Sequence, residues 1–97
     1  MEFCAYVLIS KSLDRFYIGS TDNFEKRLFE YNTGFYENTF TSKVADWELF
    51  LFIPCLSRKQ STLVETHIKK MKSKKFIENL KQYPELVEKM KSRYGID

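Results

Sequence analysis

The chain opens on a continuous apolar run, Phe3 to Ile9 (FCAYVLI), as long as one strand. A polar stretch, Ser10 to Asp14, separates it from Arg15-Phe16-Tyr17-Ile18, which is aromatic and β-branched and suits a half-buried strand. Two such runs joined by a short polar loop predict an antiparallel hairpin in which Tyr6 and Tyr17 lie near each other, with the register left open. Gly19 is expected to break the second strand. Ser20, Thr21 and Asp22 then offer three N-caps, and Asp22 with Glu25 resembles a capping box. Phe24, Leu28 and Tyr31 recur at helical spacing, which predicts a helix over about 22–33, stopped by Gly34.

Residues 35–45 show no clear period and are rich in Asn, Thr and Ser, which predicts a loop. Trp47 to Ile53 (WELFLFI) is apolar on both faces apart from Glu48 and reads as a central strand, ended by Pro54. Trp47, Phe50 and Phe52 are expected in the core. Ser57 with Gln60 makes a second capping box and opens a helix over about 58–72. Leu63, Val64, Ile68 and Met71 form its apolar stripe, and Glu65 sits beside that stripe. Ser73-Lys74-Lys75 marks a break, after which Phe76, Ile77 and Leu80 predict a further turn or two of helix. Pro84 suits the first position of a last helix over 84–94, closed by Gly95. The order β-β-α-β-α-α predicts an α+β fold, a small three-stranded antiparallel sheet flanked by helices. The 97 residues make one domain, with a core over about 3–80 and a basic helical C-terminal extension over 81–97.

Composition narrows the class. With 43% hydrophobic and 16% aromatic residues, the chain is too apolar for a disordered one. Its apolar runs are too short for a transmembrane helix, and Met1-Glu2-Phe3 does not resemble a signal peptide. A cytoplasmic location and no membrane partner are expected. Cys4 and Cys55 lack metal or redox spacing and are expected to be buried thiols in a reducing compartment. The net charge of +3 hides an asymmetry: residues 1–68 carry −2 and residues 69–97 carry +5. Lys69, Lys70, Lys72, Lys74 and Lys75 head the basic third. A solvated helix face accounts for them, and the sharper reading is contact with nucleic-acid phosphates, which makes binding salt-sensitive. Arg27 and Tyr31 lie one helical turn apart, and a turn at Gly19 brings Tyr17 toward them. A cation beside two phenols is what a phosphate-directed site needs. His67, two residues from Glu65, faces another way and is expected to be exposed or satisfied.

These landmarks resemble the GIY-YIG nuclease domain. The family carries two tyrosine-bearing strand motifs, matched here by Cys4-Ala5-Tyr6, in its tyrosine alone, and by Tyr17-Ile18-Gly19 in full. Ser20-Thr21, Arg27, Tyr31-Asn32-Thr33-Gly34 and Glu65 follow in the family's order, and Glu65 to Lys72 is similar to the small stand-alone members that resemble the UvrC N-terminal domain. The resemblance covers roughly 5–80. It implies a metal-dependent endonuclease that hydrolyses phosphodiester bonds in DNA, selective for structure or of low sequence specificity. Glu65 is the implied ligand of one Mg²⁺ or Mn²⁺ ion. Tyr6 is the implied general base, with Tyr17 beside it. An ordinary phenol, with a pKa of about 10, needs a neighbouring cation for that task. Arg27 is implied on the phosphate, with Tyr31 donating to it or relaying a proton. Gly19 is implied as a backbone requirement, and the Ser20 and Thr21 amides as phosphate contacts. Asn79 is the nearest match to an asparagine that supports the substrate site in some relatives. DNA is the expected partner, and RNA stays open. Two other readings stand beside this one: a silent nucleic-acid-binding module, and a protein-interaction domain using apolar residues of the C-terminal helices.

Overall fold

The hairpin forms as its pattern predicts. In a computed structural model, which describes residues 2–33 and 44–94, β1 (Cys4–Ser10) pairs antiparallel with β2 (Arg15–Thr21). Asp14 completes the turn between them at a φ of 53°, a left-handed conformation that a short polar side chain tolerates. The second strand does not stop at Gly19 but runs on to Thr21. Gly19 lies opposite Tyr6, and a Cβ there would stand 2.6 Å from Tyr6 Cζ. The glycine makes room for a ring rather than ending a strand. The register sets Tyr17 opposite Leu8, so Tyr6, Leu8 and Tyr17 share one face of the sheet.

The third strand, β3 (Trp47–Pro54), pairs with the other side of β1, and the order is β2-β1-β3. The central strand is therefore β1, not β3. β1 is buried at every position but Ile9, whereas β3 exposes Glu48, Leu49, Phe52 and Pro54. Val7 faces Leu51 while Leu8 faces Leu49, so Phe50 is an extra residue, a bulge. The bulge reverses the alternation along β3. Leu51 and Ile53 pack with Ala5 and Val7, and Trp47 joins Tyr6 and Leu8 on the opposite face. Of the three aromatics expected in the core, Trp47 is buried and Phe50 is half-buried against Phe16, but Phe52 is 38% exposed beside Phe24.

Helix α1 (Phe24–Asn32) covers the tyrosine face with Phe24, Leu28 and Tyr31. Its N-cap is Asn23, not Asp22: Asn23 Oδ1 accepts the Lys26 N–H at 3.2 Å. Asp22 pairs instead with Arg58 at 3.3 Å. Gly34, and most of the loop expected over 35–45, lie outside the described residues.

Helices α2 (Arg58–Met71), α3 (Lys74–Gln82) and α4 (Pro84–Tyr94) cover the other face. Val64, Ile68, Ile77, Leu80 and Met90 close the core over Ala5, Val7 and Ile53. Met71 is exposed, because α2 ends there and Lys72 turns the chain at a φ of 49°. Ser73 then caps α3, so the predicted break falls at 72–73. The closing Gly95 lies outside the described residues. Among the described residues no helix is long and apolar enough to cross a membrane. Cys4 and Cys55 are free thiols, and burial pushes that of Cys4 up to about 11. His67 is satisfied as expected: Nδ1 meets the Tyr94 hydroxyl at 2.9 Å. Its pKa is lowered by burial first, then by Arg93 and Lys70.

Ser57 Oγ accepts the Gln60 N–H at 3.1 Å, but the Gln60 amide reaches elsewhere. Its Oε1 accepts from Leu56 N–H, and its Nε2 donates to the Lys91 carbonyl at 3.2 Å. One buried side chain thus fastens α4 to the start of α2. Gln60→Ala removes both bonds and is expected to lower stability by about 1–3 kcal/mol, measured as a shift of the urea midpoint.

Candidate active site

Three tyrosines from three elements meet on the α1 face. Tyr6 comes from the middle of β1, Tyr17 from β2 and Tyr31 from the last turn of α1. The Tyr6 and Tyr31 hydroxyl oxygens are 3.2 Å apart, and the Tyr31 ring centre is 5.0 Å from that of Tyr17. Phe24 packs edge-on to Tyr6 at 5.4 Å and Trp47 to Tyr17 at 6.3 Å. Tyr6 is 1% and Tyr31 5% exposed, while Tyr17 is half-buried. Arg27 is half-buried on α1 one turn before Tyr31, which puts the two on the same side of the helix.

Burial raises the Tyr31 pKa well above the ordinary phenol value, and hydrogen bonds to the Tyr6 and Tyr17 phenols raise it further. The charged form would lose its hydration, and the neutral form keeps the hydrogen bonds it shares with those neighbours. Tyr31 is therefore held in its protonated form. Its contribution to stability is fully present below about pH 10, where folded and unfolded chains both keep the proton. Above that the unfolded chain alone releases it, and stability falls by up to about 1.4 kcal/mol per pH unit. Tyr31→Phe is expected to flatten this alkaline slope, as read from urea midpoints between about pH 9 and about pH 11.5.

Glu65 lies midway along α2, beside the stripe of Val64 and Ile68, with its side chain 19% exposed. Ser20 donates its hydroxyl to Glu65 Oε1 at 2.6 Å, and the Lys69 ammonium stands 2.6 Å from Oε2. Ser20 pairs with Ala5, so it faces α2, while Tyr17 and Gly19 face α1. The tyrosine cluster and the Ser20–Glu65–Lys69 chain thus approach β2 from opposite faces. Among the described residues β2 is an edge strand, and it contributes Tyr17 to one group and Ser20 to the other.

The remaining candidates are spread more widely. Thr21 ends β2, and its Oγ1 accepts the Asn23 N–H at 3.1 Å. Lys69, Lys72 and Lys74 line a cleft of about 290 Å³ with Arg15, whereas Lys70 and Lys75 are exposed and outside that lining. Asn79 is half-buried on α3, where its carbonyl accepts the Tyr83 N–H at 2.8 Å. Two contributions escape sequence reasoning. The Ser20 hydroxyl, rather than its amide, orients the carboxylate. Asn32 accepts from Trp47 N–H at 2.8 Å and donates to the Trp47 carbonyl at 3.0 Å, which fixes the end of α1 to the residue backing Tyr17. The asparagine directly after Tyr31 was the available signal.

The GIY-YIG catalytic domain model matches residues 2–80. The chain belongs to the GIY-YIG family. No curated protein and no solved structure matches it. The family match reaches from β1 to Leu80 within α3 and leaves α4 beyond it. A GIY-YIG domain implies nuclease activity on nucleic acids, and such nucleases generally use divalent metal ions. Among the described residues there is no cluster of three or more His, Cys, Asp or Glu side chains fit to hold a metal. Glu65 offers a single carboxylate that already holds an ammonium. One hard oxygen ligand of this kind fits Mg²⁺, which keeps several of its own waters.

Proposed function

We propose that this GIY-YIG protein is a metal-dependent endonuclease that hydrolyses phosphodiester bonds in DNA, selective for structure or of low sequence specificity. The observation that carries this reading is the edge strand β2, which contributes Tyr17 to the tyrosine cluster and Ser20 to the group that holds Glu65. A phosphodiester laid along that edge meets both. Glu65 would hold one Mg²⁺ or Mn²⁺, and the ion would supply stabilisation of the charge that develops on the phosphate and the leaving oxygen. Ser20 holds the carboxylate in its orientation. Arg27 binds the phosphate with its planar fork.

The proton chemistry divides among the tyrosines. Tyr31 keeps its proton. The base role falls to the Tyr6–Tyr17 pair. Tyr17 is its half-buried, solvent-reached member, and Tyr6 is steadied by the Tyr31 hydroxyl. Gly19 gives Tyr6 its room. Asn79 is assigned a supporting role from the family pattern alone. The lysines of 69–75 contact phosphates, which position a nucleic acid without reading its sequence. The free thiols Cys4 and Cys55 fit a reducing compartment, the cytoplasm. For the rival interaction domain, Ile77, Leu80 and Met90 lie inside the core, and Tyr83 and Leu86 are the apolar residues of that stretch left exposed.

The test is a panel of labelled duplex, flapped, branched and single-stranded DNAs with matched RNAs, incubated with Mg²⁺ or Mn²⁺ and with EDTA as control. Cuts in DNA that need the metal are expected, with some structures preferred. Salt-sensitive binding with no cut under either ion would leave a binding module instead.

A further inference from the structure

Lys69 has two claims on its ammonium. It lies 2.6 Å from Glu65 Oε2, while Ser20 occupies Oε1, so both carboxylate oxygens are engaged. Lys69 also lines the cleft of about 290 Å³ whose other cations are Arg15, Lys72 and Lys74. Lys74 is steadied there by the Asp14 carbonyl at 3.1 Å and the Asp14 carboxylate at 3.4 Å. Lys69 is 51% exposed, so its head turns from the carboxylate into the cleft without disturbing the core. An ion pair one helical turn apart holds it by only about 0.3–0.5 kcal/mol. A phosphate already facing three other cations outcompetes that.

We infer that the cleft of Arg15, Lys69, Lys72 and Lys74 binds a backbone phosphate of the nucleic acid, and that Lys69, drawn into it, frees Glu65 for the metal ion. Substrate binding then opens the metal site. By reciprocity the ion strengthens nucleic-acid binding by the same factor. The inference rests on the reading of Glu65 as the ligand and adds what controls it.

The experiment measures free Mn²⁺ by electron paramagnetic resonance during titration of the full chain. Wild type, Lys69→Gln, Arg15→Gln/Lys72→Gln and Glu65→Ala are each titrated alone and with a phosphorothioate DNA duplex, against a DNA-only blank. DNA is expected to tighten Mn²⁺ binding to wild type about twofold. Lys69→Gln alone binds Mn²⁺ tighter by about the same factor, and DNA then adds less. The Arg15→Gln/Lys72→Gln variant keeps wild-type Mn²⁺ affinity alone but loses the effect of DNA. If Lys69→Gln binds Mn²⁺ no tighter and DNA strengthens both proteins alike, the inference is overturned. Mn²⁺ binding lost in Glu65→Ala alongside that result leaves the ligand reading standing. Undiminished binding by Glu65→Ala removes the ligand reading and the inference together.

Discussion

Glu65→Ala is expected to lower DNA cleavage by about 10³-fold or more at saturating DNA, while unfolding close to the wild-type denaturant midpoint. The two effects separate because the carboxylate sits at the rim of the core. Its partners are the Ser20 hydroxyl and the half-exposed Lys69, and both turn to water when it is removed. A pair of that kind contributes about 0–1 kcal/mol to stability. Its chemical loss is large because no cluster of three ligating side chains among the described residues backs it. Glu65→Gln keeps the shape, removes the charge and should lose as much activity. Glu65→Asp draws the carboxylate back by one methylene and should fall between. Gel assays under single-turnover conditions check all three, and a Glu65→Ala protein that cuts within tenfold of wild type speaks against the assignment.

Gly19→Ala should damage fold and site together. The added Cβ would stand 2.6 Å from Tyr6 Cζ and 3.0 Å from Cε1. Tyr6 has nowhere to go: it is on the central strand, packed by Phe24 and bonded to Tyr31. Overpacking of this kind costs about 1–3 kcal/mol, and the upper end applies to so rigid a neighbour. Each kcal/mol lowers the melting temperature by about 4–8 °C in a domain of this size. The displaced hydroxyl leaves Tyr31, and a shift of about 1 Å in such a site costs about 100-fold in rate. Adding Tyr6→Phe removes one of the overlapping atoms and should return part of the stability but none of the activity. Calorimetry and single-turnover cleavage read the two losses; a Gly19→Ala protein as stable as wild type would mean that Tyr6 does not fill that space.

The parts of this fold legible in the sequence are those governed by local rules. The spacing of Phe24, Leu28 and Tyr31 belongs to one helix, and that face does meet the sheet. Ser57 caps α2 within three residues of itself. The bulge at Phe50 is different, because it exists only in relation to β1. A run apolar on both faces gives no hint of where its alternation reverses. Neither the turn of Trp47 toward Tyr17 nor the exposure of Phe52 can be read from it. Gly19 reads locally as a strand-breaker, yet the strand continues because a ring from β1 needs the gap. The same division runs through the site. Residue types and their order single out Tyr6, Tyr17 and Tyr31, which do come together. That Ser20 holds one oxygen of Glu65 depends on packing between elements 45 residues apart, whereas Lys69 reaches the other from one turn along the same helix.

The most direct measurement is single-turnover cleavage of end-labelled DNA with Mn²⁺ in ¹⁸O-labelled water, with mass analysis of the product ends and of the denatured protein. Attack by water deprotonated at the Tyr6–Tyr17 pair predicts one labelled oxygen in the terminal phosphate and no DNA bound to the protein. A DNA strand linked to a tyrosine, or a terminal phosphate free of label, contradicts it.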